Sequence, residues 1–155
     1  MVENVWDSEE VATWSAFLRA HATTLRKIDN DVSRKGGIPL RWYDVLLELN
    51  AVPGRRLRMQ DLGEIVVLSR TRVSRVVDEL EAEGYVTRQA NPDDRRSSFA
   101  VLTDAGRKAL RRAAPVYLDS IRANFGSRLT PAELATVRCA MEILAESPAA
   151  DRTSG

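Results

Sequence analysis

The chain has 155 residues, 44% of them hydrophobic and 29% charged, a length and balance that fit a globular protein with room for a real core. No apolar run approaches the ~20 residues that a membrane-spanning helix needs, and the acidic start, Met1-Val2-Glu3-Asn4-Val5-Trp6-Asp7, lacks a signal-peptide core. The single cysteine, Cys139, excludes an intramolecular disulfide framework and fits a reducing cytoplasm, while a net charge of +1 names no partner by itself.

In chain order, the apolar spacing predicts a long first helix from about Ser8 to Lys35, opened by a capping box of Asp7 and Glu10 and ended by Gly36-Gly37. Trp14, Phe17, Leu18, Leu25, Ile28 and Val32 supply most of its apolar residues. It is long for a small monomer, so part of it is expected to pack against another chain. A second helix follows Pro39 and carries Trp42, Val45, Leu46 and Leu49 on one side, and Pro53-Gly54 breaks it. Arg55-Arg56-Leu57-Arg58 reads as a short extended piece leading into a third helix, about Met59 to Val66.

The fourth helix is predicted from Ser69, a good N-cap, to about Glu83, with Gly84 as its stop. Val73, Val76, Val77 and Leu80 recur at i, i+3, i+4 and i+7 and form one apolar stripe. Two short strands, about Tyr85–Gln89 and Ser98–Leu102, flank a charged tip, Asn91-Pro92-Asp93-Asp94-Arg95-Arg96. Thr103 can cap a fifth helix running towards Phe125, with a ridge of Leu110, Ala114, Tyr117, Leu118, Ile121 and Phe125, and Pro115 is expected to kink it. Thr130, Pro131 and Glu133 start a sixth helix, whose Leu134, Val137, Met141 and Leu144 recur as in a helix–helix seam. The tail, residues 148–155, is expected to be disordered.

The fourth helix is the informative one. Opposite its stripe it begins with Thr71, Arg72, Ser74 and Arg75, and only later turns acidic with Asp78, Glu79, Glu81 and Glu83. A helix dipole favours the reverse order, so the cationic, hydroxylated start points to an anion supplied from outside, with nucleic-acid phosphate the leading candidate. The charge distribution agrees: residues 55–112 hold 13 Lys and Arg against 9 Asp and Glu, and the rest of the chain is net acidic.

Two helices joined by a tight turn and followed by a hairpin describe a winged helix-turn-helix, whose second helix fits the major groove of B-DNA. On that reading Arg72 and Arg75 clamp a guanine edge or a phosphate. Thr71 and Ser74 contact phosphate or base, Ser69 offers its hydroxyl and N–H to a phosphate, and Arg70 has a backbone role at most. Arg95 and Arg96 at the hairpin tip reach the adjacent minor groove, and Asp94 holds an arginine, either Arg96 or one on the recognition helix.

The spacing Asp94-Arg95-Arg96, five residues, then Leu102-Thr103-x-x-Gly106 resembles the signature D-x-R-x(5)-L-T-x-x-G of MarR-type (multiple-antibiotic-resistance regulator) transcription factors. Leu62-Gly63, Leu68-Ser69-Arg70 and the run from Val73 to Val86 resemble that family too. One departure is the turn Ile65-Val66-Val67-Leu68, where the family usually has a small residue or glycine. The resemblance implies a mainly α fold of six helices with a small β-hairpin wing. Residues 1–147 would form a single domain, with a DNA-binding lobe over about 36–102 and dimerisation helices over about 8–35 and 103–147. It further implies a homodimer on a pseudo-palindromic site in double-stranded DNA, usually a repressor, released by a small ligand or by oxidation.

The family's effector pocket lies between the dimer helices and the DNA-binding lobe, which makes Trp14, His21, Trp42 and Tyr43 candidates for it, against core or hinge packing as the plainer role. Cys139 reads as a surface or interface thiol, since oxidation-sensing relatives carry their cysteine near the start of the first helix. One histidine and one distant cysteine make no zinc site, and neither a nucleophile elbow nor a phosphate loop is present, so no metal, cofactor or enzymatic activity is expected. The alternative to DNA binding is a winged-helix module that binds protein, which would tolerate loss of Arg75 and Arg96.

Overall fold

Helix α1 (Glu9–Asp31) opens on Ser8, whose hydroxyl accepts from the Val11 N–H at 3.4 Å. The structure, a computed structural model, describes residues 8–66, 70–94 and 96–145, the side chains of Arg70 and Thr71 excepted. Asp7, the expected cap, and residues 148–155, the expected tail, lie outside the described residues.

At Val32 the chain leaves α geometry for one π-helical turn ending at Gly36, and Gly37 then reverses it with φ at 80°. The glycine pair thus ends the helix as its sequence predicts, but the last turn is wider than an α-helix. Gly36 lies against Ala113, where a Cβ on residue 36 would come within 3.1 Å of the Ala113 Cβ. Pro39 brings no hydrogen-bonding side chain to the start of α2 (Leu40–Ala51). Asp29 of α1 does so instead, accepting from the Leu40 N–H at 2.9 Å.

A 3-10 turn at Pro53–Arg55 leads to strand β1 (Arg56–Arg58) and helices α3 (Met59–Ile65) and α4 (Arg70–Ala82). Strands β2 (Val86–Ala90) and β3 (Ser98–Leu102), helix α5 (Asp104–Asn124), a second 3-10 turn at Gly126–Arg128 and helix α6 (Pro131–Ala145) follow. The extended piece read at Arg55–Arg58 is more than a connector. It pairs antiparallel with β3, Leu57 opposite Ala100, so the wing is a three-stranded sheet in the order β1-β3-β2. The Arg56 guanidinium lies 4.9 Å over the Phe99 ring and ties the outer strand down.

The core lies between α2, α3, α4 and the sheet. All four residues of the predicted α4 stripe, Val73, Val76, Val77 and Leu80, are buried, facing Val45, Leu46 and Leu49 of α2, Leu62 of α3 and Val86 of β2. Leu102-Thr103-x-x-Gly106 acts as a joint between this core and α5. The Thr103 hydroxyl accepts from the Gly106 N–H at 3.1 Å and donates to the Gly84 carbonyl at 2.7 Å, and the Thr103 N–H donates to the Tyr85 carbonyl at 3.1 Å. Any Cβ on residue 106 would overlap that Tyr85 carbonyl oxygen, so the position requires glycine.

Helix α5 continues through Pro115 to Asn124. Leu110 of its predicted ridge is buried, while Leu118 and Phe125 are exposed, and Ala109 and Ala113 take inward places, Ala113 against Gly36. The Thr130–Glu133 capping box of α6 forms as read: the Glu133 carboxylate accepts from the Thr130 N–H at 2.8 Å, and the Glu133 N–H donates to the Thr130 hydroxyl at 3.3 Å. Yet α6 buries none of its residues. Trp14, Phe17, Leu18 and Leu25 of α1 are likewise exposed, and only Ile28 and Val32 of that helical arm enter the core. Among the described residues no helix is long and apolar enough to cross a membrane.

Candidate nucleic-acid interface

With the valine stripe fixed inward, the opposite face of α4 turns away from the core. Arg72 and Arg75 are exposed and Ser74 is half-buried. Ser69 lies outside the described residues, as do the side chains of Arg70 and Thr71, whose backbone begins the helix. Among the described residues Arg72, Arg75 and Arg96 form no ion pair.

The acidic half of α4 is engaged elsewhere, which resolves the inverted charge order. Glu79 accepts from the Trp42 indole N–H at 2.7 Å and from Arg41 Nη2 at 3.0 Å, and both belong to α2. The Trp42 hydrogen bond first, then that of Arg41, with the charges of Arg41 and Arg75 adding, holds the Glu79 carboxyl below its ordinary pKa. Asp78 and Glu81 are held by Arg88 of β2. Its guanidinium pairs with Asp78, lies 3.5 Å from Glu81 Oε2 and donates to the Ser74 carbonyl at 3.3 Å, while its backbone N–H donates to Glu81 Oε1 at 3.0 Å. Arg88 therefore clasps the wing to the helix.

The hairpin tip is built by side chains on its own backbone. Asn91, 3% exposed, donates through Nδ2 to the Ser97 hydroxyl at 2.8 Å and accepts the Asp93 N–H at 3.1 Å. The Ser97 N–H returns to the Asp94 carbonyl at 3.0 Å. Asp94 Oδ1 accepts from the backbone N–H of Arg96 at 2.9 Å. Among the described residues Asp94 holds the Arg96 backbone and no arginine side chain, a two-residue Asx turn being within reach without ordering a long side chain. Arg96 is exposed at the tip, and Arg95 lies outside the described residues.

Arg88, Asn91 and Ser97 were not singled out from the sequence. A signal for Arg88 lies in Asp78 and Glu81 of the α4 C-terminal half, to which a cation on the following strand answers. Nothing comparable marks Asn91 or Ser97, because their roles depend on the turn closing.

The four aromatic candidates for a ligand site are not brought together. Trp14 and His21 are exposed on α1, with Phe17 stacked between them at 5.7 and 6.2 Å. Trp42 binds Glu79 and meets the Tyr85 ring edge-on at 6.1 Å, and Tyr43 is buried with its ring 4.5 Å from Tyr117. Of these, among the described residues, His21 alone lines a cavity of about 660 Å³ that opens between α1 and α2, with Ile65 and Tyr117 also in its walls. Asp44 lines it too. Burial first, then the charges of Glu48 and Asp29, pushes its carboxyl up to about 6. Cys139 is exposed on α6.

The family model described as the MarR family matches residues 36–97. By sequence, the chain is similar to the HTH-type transcriptional regulator YkoM of Bacillus subtilis, 31% identical over 120 residues that cover 77% of this chain and 75% of that protein. It is also similar to the transcriptional repressor MprA of Escherichia coli, 29% identical over 86 residues, 56% of this chain and 49% of MprA. By structure, it is similar to Sco3205, a MarR family transcriptional regulator from Streptomyces coelicolor solved in complex with DNA, with a TM-score of 0.84, 34% identity and 96% of both chains covered.

Proposed function

The chain belongs to the MarR family, whose members are transcriptional regulators and not enzymes, and from that premise we propose that it is a cytoplasmic, homodimeric repressor that occupies a pseudo-palindromic promoter site. The observation that carries this reading is the division of charge on α4. Its acids are taken up by Arg41, Trp42 and Arg88, while Arg72 and Arg75 face outward without an ion-pair partner among the described residues.

In this proposal α4 enters the major groove. Arg72, Arg75, Thr71 and Ser74 meet bases and phosphates, and Ser69 and Arg70 meet the backbone at the helix start. Arg95 and Arg96 enter the neighbouring minor groove from the wing, at an angle fixed by Asp94. The DNA-binding lobe spans residues 36–102. The dimer forms through residues 8–35 and 103–147, a reading supported by the exposed Trp14, Phe17, Leu18 and Leu25 of α1 and Ile143 and Leu144 of α6. Two recognition helices then lie about one DNA turn apart, ~34 Å. A small molecule in the cavity beneath Ile65 releases DNA by favouring a different helix spacing, within the limit of its differential affinity for the two forms.

The test is fluorescence anisotropy of the full chain on its own upstream DNA and on a scrambled duplex across salt concentrations. Tighter, strongly salt-dependent binding to the upstream duplex is the expected result. Equal affinity for both duplexes contradicts sequence-specific regulation there. No binding even at low salt favours a winged-helix module whose partner is a protein.

A further inference from the structure

The cavity between α1 and α2 has mainly apolar walls, with Leu25, Leu47, Ile65 and Tyr117 among them, yet it contains carboxylates that make no ion pair among the described residues. Asp29 is already engaged by the Leu40 N–H at 2.9 Å and the Ser33 hydroxyl at 3.3 Å. Arg41 reaches the rim but is directed to Glu79. Arg26 of α1 lines the cavity as its second arginine, and His21 as its histidine. Neither relieves Asp44, whose surroundings act on it through burial and through the negative charges of Glu48 and Asp29. Asp44 and Glu48 stand one helical turn apart on α2, and among the described residues neither makes an ion pair or a side-chain hydrogen bond. A partly buried carboxylate in an apolar cleft, with two more carboxylates beside it, is a place where positive charge is stabilised.

We propose that this cavity takes an organic monocation, an apolar body carrying a protonated amine, with the ammonium on Asp44 flanked by Glu48 and the body against Leu25, Leu47 and Ile65. The inference rests on the effector reading above and gives the effector its charge and shape. The same carboxylates disfavour an aromatic acid. An ammonium on Asp44 acts on α2, the helix whose Arg41 and Trp42 hold Glu79 of α4, so the occupied cavity bears directly on the support of the recognition helix.

Isothermal titration calorimetry of the full chain at pH 7.5 tests this with three probes of one shape: 2-naphthylmethylammonium, 2-naphthylmethanol and 2-naphthoate. The amine is expected to bind at least about tenfold tighter than the alcohol, as a charge-assisted hydrogen bond requires, and the acid most weakly. Asp44→Asn should reduce the amine to the level of the alcohol while leaving alcohol affinity unchanged, which also shows that the variant is folded. Glu48→Gln should cost the amine a few-fold. A naphthoate that equals the amine, amine affinity that survives Asp44→Asn, or no binding of any probe at millimolar concentration would each overturn the proposal. The titration contains no DNA. Its failure therefore leaves DNA binding standing, and failure of the upstream-DNA titration leaves the cation site standing.

Discussion

In the proposed complex, Arg75 and Arg96 meet DNA in two different ways. Arg75 projects from the middle of α4, opposite a buried valine stripe that fixes its direction. If it reads a base, Arg75→Ala should cost ~1–3 kcal/mol on the preferred site and relax one position, and anisotropy over a set of single-base variants measures this. Uniform loss over all sequences would make it a phosphate contact. Arg96 is exposed at a turn whose backbone Asp94 holds. Arg96→Ala should weaken binding and lower the salt slope by about 1, and superimposable salt titrations would remove the wing from the interface. Asp44 has a different signature, visible without DNA. Its carboxyl is raised from 3.8 to about 6, so the native state holds the proton more tightly than the unfolded chain. The residue therefore costs no stability below about pH 4, an increasing amount as pH rises to 6, and a constant amount above. Asp44→Asn should be more stable than the parent by about 1–2 kcal/mol at pH 8, solvent screening included, with the gap closing towards pH 4. Urea unfolding at both pH values checks it, and a gap that widens on acidification contradicts the sign.

At the scale of elements, Arg88 ties the wing to α4. One guanidinium meets two carboxylates and a carbonyl of α4. Arg88→Met keeps the aliphatic stem and removes those bonds. It should cost about 1–2 kcal/mol in urea unfolding, a value discounted for partial exposure. It should also weaken DNA binding although Arg88 is not placed on the DNA, since the angle between wing and helix is no longer held. Unchanged affinity in anisotropy would show that the sheet alone fixes the angle. The joint at Thr103 and Gly106 belongs to the same scale. The motif was legible as a spacing, and its physical reason is a cap that also ties down the Gly84 carbonyl, beside a glycine that admits the Tyr85 carbonyl. Helix ends were legible for a similar reason: Thr130 with Glu133, and Gly37 after Gly36, act within a few residues of chain. The third strand was not, because β1 pairs with β3 more than forty residues away and three residues carry no periodicity.

For the whole molecule, the exposed apolar residues of α1 and α6 are the surface that the proposed dimer would cover. Leu144 is 75% exposed and Ile143 65%, on a helix that buries nothing. A chain truncated before Thr130 should therefore sediment as monomer or aggregate, and a stable dimer at the same concentration would place the dimer contact elsewhere. The helices, the buried stripe of α4, its outward arginines and the hairpin can be read from the chain alone, because periodicity and caps are written in neighbouring residues. Which charges are spent follows from the packing of the elements. Glu79 meets Arg41 and Trp42, Asp78 meets Arg88, Asp94 turns to its own backbone, and Asp44 is left without a partner among the described residues. The reason is distance: a charge finds its partner across elements, and which elements meet depends on how the apolar faces pack.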